Sequence, residues 1–268
     1  MLTYWNRAMN VKKIIAAVPV VMLITLSNGA YAKDWSTLRF GVEASYAPFE
    51  SKTADGRLVG LDIDIGTEIC ARMQARCEWV ENDFDGLIPA LKAKKFDGIL
   101  SSMSITKKRE EQIAFSSKLY AVPARLVARK GTSILPTPES LAGKRVGVEQ
   151  GTIYETYANS YWAPKGVTIV PYQSQPLIFT DLVVGRLDAA FQDTVAAESG
   201  LLDTPRGAAF EFAGSNLVDP KILGNGSAIG MRKEDRDLKD KIDKAIAEMV
   251  KDGTYKKIEE KYLKFDIQ

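Results

Sequence analysis

The chain has no histidine, and only two cysteines in 268 residues. The first absence removes triads and dyads built on imidazole, and with them the commonest metal ligand. The second leaves Cys70 and Cys77 without the further pair that a thiolate zinc site needs. No stretch reaches the ~20 apolar residues of a membrane-spanning helix; the run Ile14–Leu26 holds 13 and contains Pro19. No Walker A sequence occurs, and Gly224-Asn225-Gly226 precedes a strand-like segment, where a dinucleotide loop must follow one. Neither sign of charge dominates: 36 basic and 34 acidic residues are interspersed, which gives no basic face for nucleic acid or for a membrane surface.

The ends explain the slight basicity. Lys12 and Lys13 precede the apolar run, and Ala30-Tyr31-Ala32 forms a small-residue cleavage site, so residues 1–32 read as a secretory signal cut after Ala32. Met9 stands in the usual start position of such a leader, which makes Met1–Ala8 an upstream start. Loss of the leader removes Arg7, Lys12 and Lys13 and no acid, so 36 and 34 charges become 33 and 34, a net −1. No cysteine lies near the cut, so a lipid anchor is not expected there. Export places Cys70 and Cys77 in an oxidising compartment. A small disulfide clipping the end of a helix is the natural reading, with a modest entropic gain of roughly 2–3 kcal/mol for so short a loop.

The mature segment alternates. Strands are predicted over Thr37–Val42, Cys77–Val80 and Gly98–Leu100, with helices over Ile63–Gln74, Leu87–Lys94 and Lys107–Gln112 between and after them. After an extended Ala124–Ala128 and a Pro- and Ser-containing linker at 131–140, the plan repeats. Strands Arg145–Val148, Thr168–Pro171 and Ala189–Gln192 alternate with helices Ile153–Ser160, Pro176–Val184 and Thr194–Ser199. Strand Ser227–Met231 and helices Leu238–Lys251 and Tyr255–Tyr262 close the chain, with Ile242, Ala245, Ile246, Met249 and Val250 at core-facing helical spacing. Two such sets predict an α/β protein of two lobes with parallel sheets covered on both faces.

Ligand-handling groups gather at the carboxyl ends of these strands, where open α/β sheets bind. They are Glu43 and Tyr46, then Phe84, then the turn Ser101, Ser102 and Ser104 with Arg109 one helical turn beyond. Arg109 belongs either to a solvated charged face with Lys107 and Lys108 or to a carboxylate clamp, for which a guanidinium is best shaped. Thr152 after Gly151 is a plain helix cap or the edge of an anion site built from helix amides. Asp193 is likewise a cap or an acceptor for an ammonium. Tyr46 and Phe84 are core aromatics or the walls around an aliphatic stem or cation.

These residues, with the stretches Tyr46-Ala47-Pro48-Phe49, Gly60-Leu61-Asp62-Ile63-Asp64-Ile65-Gly66, Ser104-Ile105-Thr106, Gly185-Arg186-Leu187-Asp188-Ala189-Ala190 and Asp252-Gly253-Thr254-Tyr255, resemble the periplasmic amino-acid-binding proteins of ABC importers. These are solute-binding protein family 3, and within it the lysine/arginine/ornithine- and histidine-binding proteins. The resemblance spans 33–268. It implies a type II two-lobed clamp joined by two hinge strands, with lobe 1 formed by 33–121 and 223–268 and lobe 2 by 122–222. It also implies a Cys70–Cys77 disulfide. Arg109 and the Thr152 amide would hold a carboxylate, Asp193 and the serine turn an α-ammonium, and Tyr46 and Phe84 the side chain. Glu43 stands where these relatives carry aspartate toward the ligand's distal cation; Glu149 is a second acid at a rim position that differs in them, as do Ile153 and Tyr154.

The expected function is therefore capture of a basic L-amino acid, arginine or ornithine first and lysine or histidine also, by hinge closure, and delivery to an inner-membrane ABC permease. The protein is expected to be periplasmic and monomeric, without cofactor, metal, nucleic-acid partner or catalytic step. Two alternatives carry different chemistry: an opine or other amino-acid derivative as ligand, or a dehydratase or isomerase on the same fold using Glu43, Asp193 or a lysine.

Overall fold

The computed structural model describes residues 1–3, 33–264 and 266–268; the apolar run and the expected cleavage site at Ala32 lie outside the described residues. Every element belongs to one unit, Asp34–Gln268. Among the described residues no helix is long and apolar enough to cross a membrane.

The first half runs β1 (Thr37–Val42), β2 (Ser45–Tyr46), β3 (Glu50–Lys52), β4 (Leu58–Val59), α1 (Leu61–Arg72), β5 (Arg76–Glu81), α2 (Leu87–Lys92), β6 (Gly98–Ile99), α3 (Lys107–Glu110) and β7 (Ala114–Phe115). The second runs β8 (Ala124–Arg129), α4 (Pro138–Leu141), β9 (Arg145–Glu149), α5 (Ile153–Tyr161), β10 (Thr168–Tyr172), α6 (Gln175–Val183), β11 (Ala189–Asp193), α7 (Thr194–Ala197) and β12 (Phe210–Leu217). The chain then returns through β13 (Gly230–Met231), α8 (Arg236–Asp252) and α9 (Thr254–Glu259). Two five-stranded sheets result, ordered β5-β1-β6-β13-β7 and β10-β9-β11-β8-β12, with β2-β3-β4 as a small third sheet. The molecule is a two-lobed α/β protein.

The sheets are mixed, where alternation alone predicts parallel ones. β1 pairs in parallel with β5 and β6, and β9 with β10 and β11, but β13 runs against β6 and β7, and β8 against β11 and β12. The cause is the double crossing. β1, β6, β9 and β11 run toward the gap between the sheets, whereas β8 and β13 enter their sheets from that gap and so run outward. The sequence also hid short or interrupted strands. Ser227 makes only isolated bridges, to Ser104 and Tyr120, and β12 is broken by a register shift after Ala213.

Burial follows the two-residue period of each strand. Leu126 and Ala128 of β8 join Val146, Val148, Trp162 and Phe191 on one face, while Val127 joins Ile178, Phe179 and Leu182 of α6 on the other. In the first sheet Leu38 and Phe40 pack against α1, α8 and α9, and Leu87, Leu91 and Phe96 fill the opposite face. Ile242, Ala245, Ile246 and Met249 are buried as their spacing predicts; Val250, at the edge of that stripe, is 45% exposed.

Cys70 in α1 and Cys77 in β5 form the disulfide, seven positions apart. The Cys70→Ser/Cys77→Ser double variant should lose roughly 2–3 kcal/mol of unfolding free energy through loop-closure entropy, read from urea melts. Ligand affinity should not change, because neither residue lines the cavity described next; a loss of affinity at unchanged fold would contradict that.

Candidate functional site

Three strand ends converge on a cavity of about 330 Å³ between the sheets. β6 delivers Ser101, Ser102 and Ser104, β9 delivers Glu149 and Thr152, and β11 delivers Asp193; Tyr46, Phe84 and Arg109 complete the set. Nine of the ten residues singled out in the sequence thus line one space. Glu43, at the end of β1, does not line it. Its backbone N–H donates to Ser101 Oγ at 2.9 Å, and its carboxylate accepts the Ser45 hydroxyl from the layer behind.

Arg109 turns inward while Lys107 and Lys108 stay exposed, so the solvated-face reading fails for it: 8% of its surface is accessible. Thr106 caps the short α3 by accepting the Arg109 N–H at 3.3 Å, which fixes the helix start that aims the side chain. Nη1 donates to Ser104 O at 2.9 Å and Nη2 to Gly151 O at 3.2 Å, and the guanidinium sits 5.4 Å from the Phe84 ring centre. Burial lowers its pKa to about 10, since desolvation penalises the cation. A bound carboxylate would supply the missing counter-charge.

Thr152 is the N-cap of α5, accepting the Glu155 N–H at 3.2 Å and donating to Glu149 O at 2.6 Å. Thr152, Ile153 and Tyr154 at that helix start line the cavity. Gly151 has φ +77°, and a Cβ on it would lie 2.7 Å from Asp85 Cα, so the two lobes touch backbone to backbone here. Glycine satisfies both the left-handed conformation and the close approach.

Asp193 is a helix cap, as the first of its two readings has it, and its second carboxylate oxygen meets Tyr46. Oδ1 accepts the Ala196 N–H at 2.7 Å and caps α7, while Oδ2 accepts the Tyr46 hydroxyl from the opposite lobe. Burial lifts its pKa to about 6 against the lowering effect of these bonds. Tyr46 itself is 8% exposed and stacks on Phe49, centroids 6.0 Å apart.

The serine turn rests on residues that the sequence reading left without a role. Ser101 Oγ donates to Glu50 Oε1 at 2.9 Å, and Ser102 N–H donates to Asp62 Oδ2 at 2.8 Å. The other Asp62 oxygen accepts the Tyr120 hydroxyl at 2.7 Å, and Tyr120 also meets Ser102 Oγ at 2.9 Å. Tyr120 lies between β7 and β8, so the turn is tied to the stretch that leads from the first sheet to the second. Asp62 had a visible signal: it precedes Ile65 and Ile69 by three and seven residues, an acid on the core face of α1. The return segment, including Asp219 and Asn225, also lines the cavity and carried no such signal.

Acids outnumber bases. Burial raises Glu43 to about 7 and Asp62 to about 6, and holds Glu50 and Glu149 well above the usual carboxylate range. Arg109 is the one cation among the described lining residues. No group of described residues could hold a metal ion.

The site is thus suited to a small zwitterion with added positive charge. The sequence model of the bacterial extracellular solute-binding proteins, family 3, matches residues 38–265. The lysine/arginine/ornithine-binding periplasmic protein of Escherichia coli strain K12 is 51% identical over 256 residues, 96% of this chain and 98% of that protein. The histidine-binding periplasmic protein of the same strain is 50% identical over the same shares. An ancestral arginine-binding protein solved with arginine superposes with a TM-score of 0.79 at 35% identity, over 85% of this chain and 98% of that one.

Proposed function

The chain belongs to the bacterial extracellular solute-binding proteins, family 3, and from that membership we propose that it captures basic L-amino acids, arginine or ornithine foremost and lysine or histidine also, for an ABC permease in the inner membrane. The relatives at 50–51% identity carry the names of periplasmic proteins for these ligands, which supports a periplasmic address after removal of residues 1–32.

One observation carries the reading: a buried guanidinium, a capped helix start and a buried carboxylate face the same cavity from both lobes. In this assignment Arg109 and the Thr152 amide take the α-carboxylate, the bidentate geometry for which a guanidinium is suited. Asp193 takes the α-ammonium together with Ser101, Ser102 and Ser104. Tyr46 and Phe84 flank the side chain, and Glu149 draws its distal cation, with the charge of Glu43 acting from outside the lining. Lobe 1 is assigned to 33–121 and 223–268, and lobe 2 to 122–222, with the crossings near Tyr120 and Leu223 as the hinge. Closure brings Tyr46 to Asp193 and Arg109 to Gly151, bonds that join residues of different lobes. The assigned role is binding and hand-over without turnover, by a monomer that needs no cofactor and contacts no nucleic acid.

The test is calorimetric titration of ligand-stripped protein with L-arginine, L-ornithine, L-lysine, L-histidine and L-glutamine. Tight one-to-one binding of a cationic member with glutamine silent is expected. Silence from all four basic amino acids would remove the assignment.

A further inference from the structure

The cavity gathers more carboxyl groups than its cation can balance, and they come from both lobes. Glu149, at the end of β9, is 3% exposed, lines the cavity, and has one carboxyl oxygen, Oε1, buried without a hydrogen-bond partner. Asp193 lines the same cavity, and Glu43 and Asp85, outside the lining at the end of β1 and in the turn before α2, add like charge that raises Glu149 further. Asp83 raises Glu43 by its like charge, Glu50 and Asp219 also line the cavity, and Asp62 lies behind the serine turn. Tyr46 and Tyr154 border the same space as neutral hydroxyls held by burial. Arg109 directs its guanidinium at two carbonyl oxygens, and its electrostatic partner is Tyr154 rather than an acid.

Like charges crowded in a low-dielectric space do not all ionise, so protons replace the missing cations. We propose that capture of a cationic side chain in this cavity is an exchange, in which the ligand displaces a proton held by the Glu149–Glu43 group. The carboxyl O–H bond breaks, the proton leaves to water, and the ligand's N–H donates to the carboxylate left behind. The proposal rests on the reading of the cavity as a basic amino-acid site and adds the regulation of that site.

The sign follows from the raised carboxyl pKa values in the empty protein. Glu43, lifted by burial to about 7, is neutral below that pH and ionised above it; Glu149 is pushed up in the same direction, first by burial and then by Glu43 and Asp193. In the complex Glu149 meets the cation directly and Glu43 feels its charge from outside the lining, so both stay ionised. Affinity for a permanently charged guanidinium therefore falls as the pH drops through 7, by about tenfold per pH unit for each proton released. Histidine behaves differently. Its imidazole is mostly neutral at pH 7 and takes up the carboxyl proton inside the cavity, so binding expels about one proton fewer. The stability of the empty protein carries the opposite sign. A carboxyl raised above its unfolded value stabilises the fold below the usual carboxylate pKa, and that contribution is lost as pH rises through about 7. The thermal shift produced by arginine should accordingly grow from pH 5.5 to pH 8.

Titration of the purified protein with L-arginine and with L-histidine at pH 7, repeated in buffers of different ionisation enthalpy, counts the protons. About one proton released with arginine, about one fewer with histidine, and a roughly tenfold loss of arginine affinity between pH 7 and 6 are expected. Glu149→Gln should bring the arginine count toward zero. Equal counts for the two amino acids with a flat pH profile would overturn the exchange while leaving the binding assignment standing, as would an unchanged count in Glu149→Gln. The comparison of the two ligands needs no variant, so poor folding of Glu149→Gln would not protect the proposal. Failure of both amino acids to bind at any pH would instead overturn the function on which it rests.

Discussion

Alanine at Arg109 is expected to weaken binding of L-arginine by about 2–5 kcal/mol, the range for removing one partner of a buried charge pair, which is about 30- to several-thousand-fold in Kd. Two effects add. The ligand carboxylate would lose its only cationic partner among the described lining residues, in a cavity already crowded with acids. The carbonyls of Ser104 and Gly151 would lose their donor as well, at 2.9 Å and 3.2 Å. Arg109→Lys separates charge from shape. An ammonium keeps the attraction but cannot span both carbonyls and a carboxylate at once, so its loss should fall between wild type and alanine. Calorimetry at pH 7.5 with both variants reads this directly; an alanine variant that binds arginine as the parent does would remove Arg109 from the clamp.

Much of this site was legible before any coordinates because its members sit at strand ends, and the strands follow from apolar runs. The predicted strands Gly98–Leu100, Arg145–Val148 and Ala189–Gln192 placed Ser101, Thr152 and Asp193 near a common edge. What sequence could not supply was the direction of individual side chains. Lys107, Lys108 and Arg109 look alike in a string, and only the Thr106 cap and the packing of the opposite lobe decide that the third turns inward. Glu50 and Asp62 were passed over for the converse reason. An acid beside apolar residues is usually a solvated edge, and here both are at most 1% exposed because the serine turn and Tyr120 supply hydrogen bonds to them. The small sheet escaped because strands of two or three residues, such as Ser45–Tyr46 and Glu50–Lys52, have no room for a period. The outward direction of β8 and β13 depends on the chain crossing between lobes twice, a global fact with no local signature. The resemblance to a known family implied that crossing; the alternation of elements did not.

Arg232 fixes the other end of the second crossing, and its loss should cost the fold more than any single surface change. It follows β13 directly, is 4% exposed, and reaches back to a loop more than 130 positions earlier. Nη1 donates to Phe96 O at 2.6 Å and Leu91 O at 3.0 Å, and Nη2 meets Asp97 Oδ1 at 3.2 Å and Asp235 Oδ2 at 2.6 Å. Asp97 is shared with Arg39, whose Nε lies 3.0 Å away, so the guanidinium completes a buried network instead of a lone pair. Removing one partner from such a network leaves charge and carbonyls without compensation, at about 3–5 kcal/mol. Arg232→Ala should therefore lower the unfolding free energy by about that amount in urea, whereas Arg232→Lys should retain part of it, since an ammonium meets the carboxylates but not all four acceptors. Arginine affinity under native conditions should stay unchanged, because Arg232 does not line the cavity. A loss below about 1 kcal/mol, the scale of an exposed ion pair, would mean that Arg39 alone satisfies Asp97 and that the return segment is held by its apolar contacts, Ile229 and Met231 against the α8 side of the sheet.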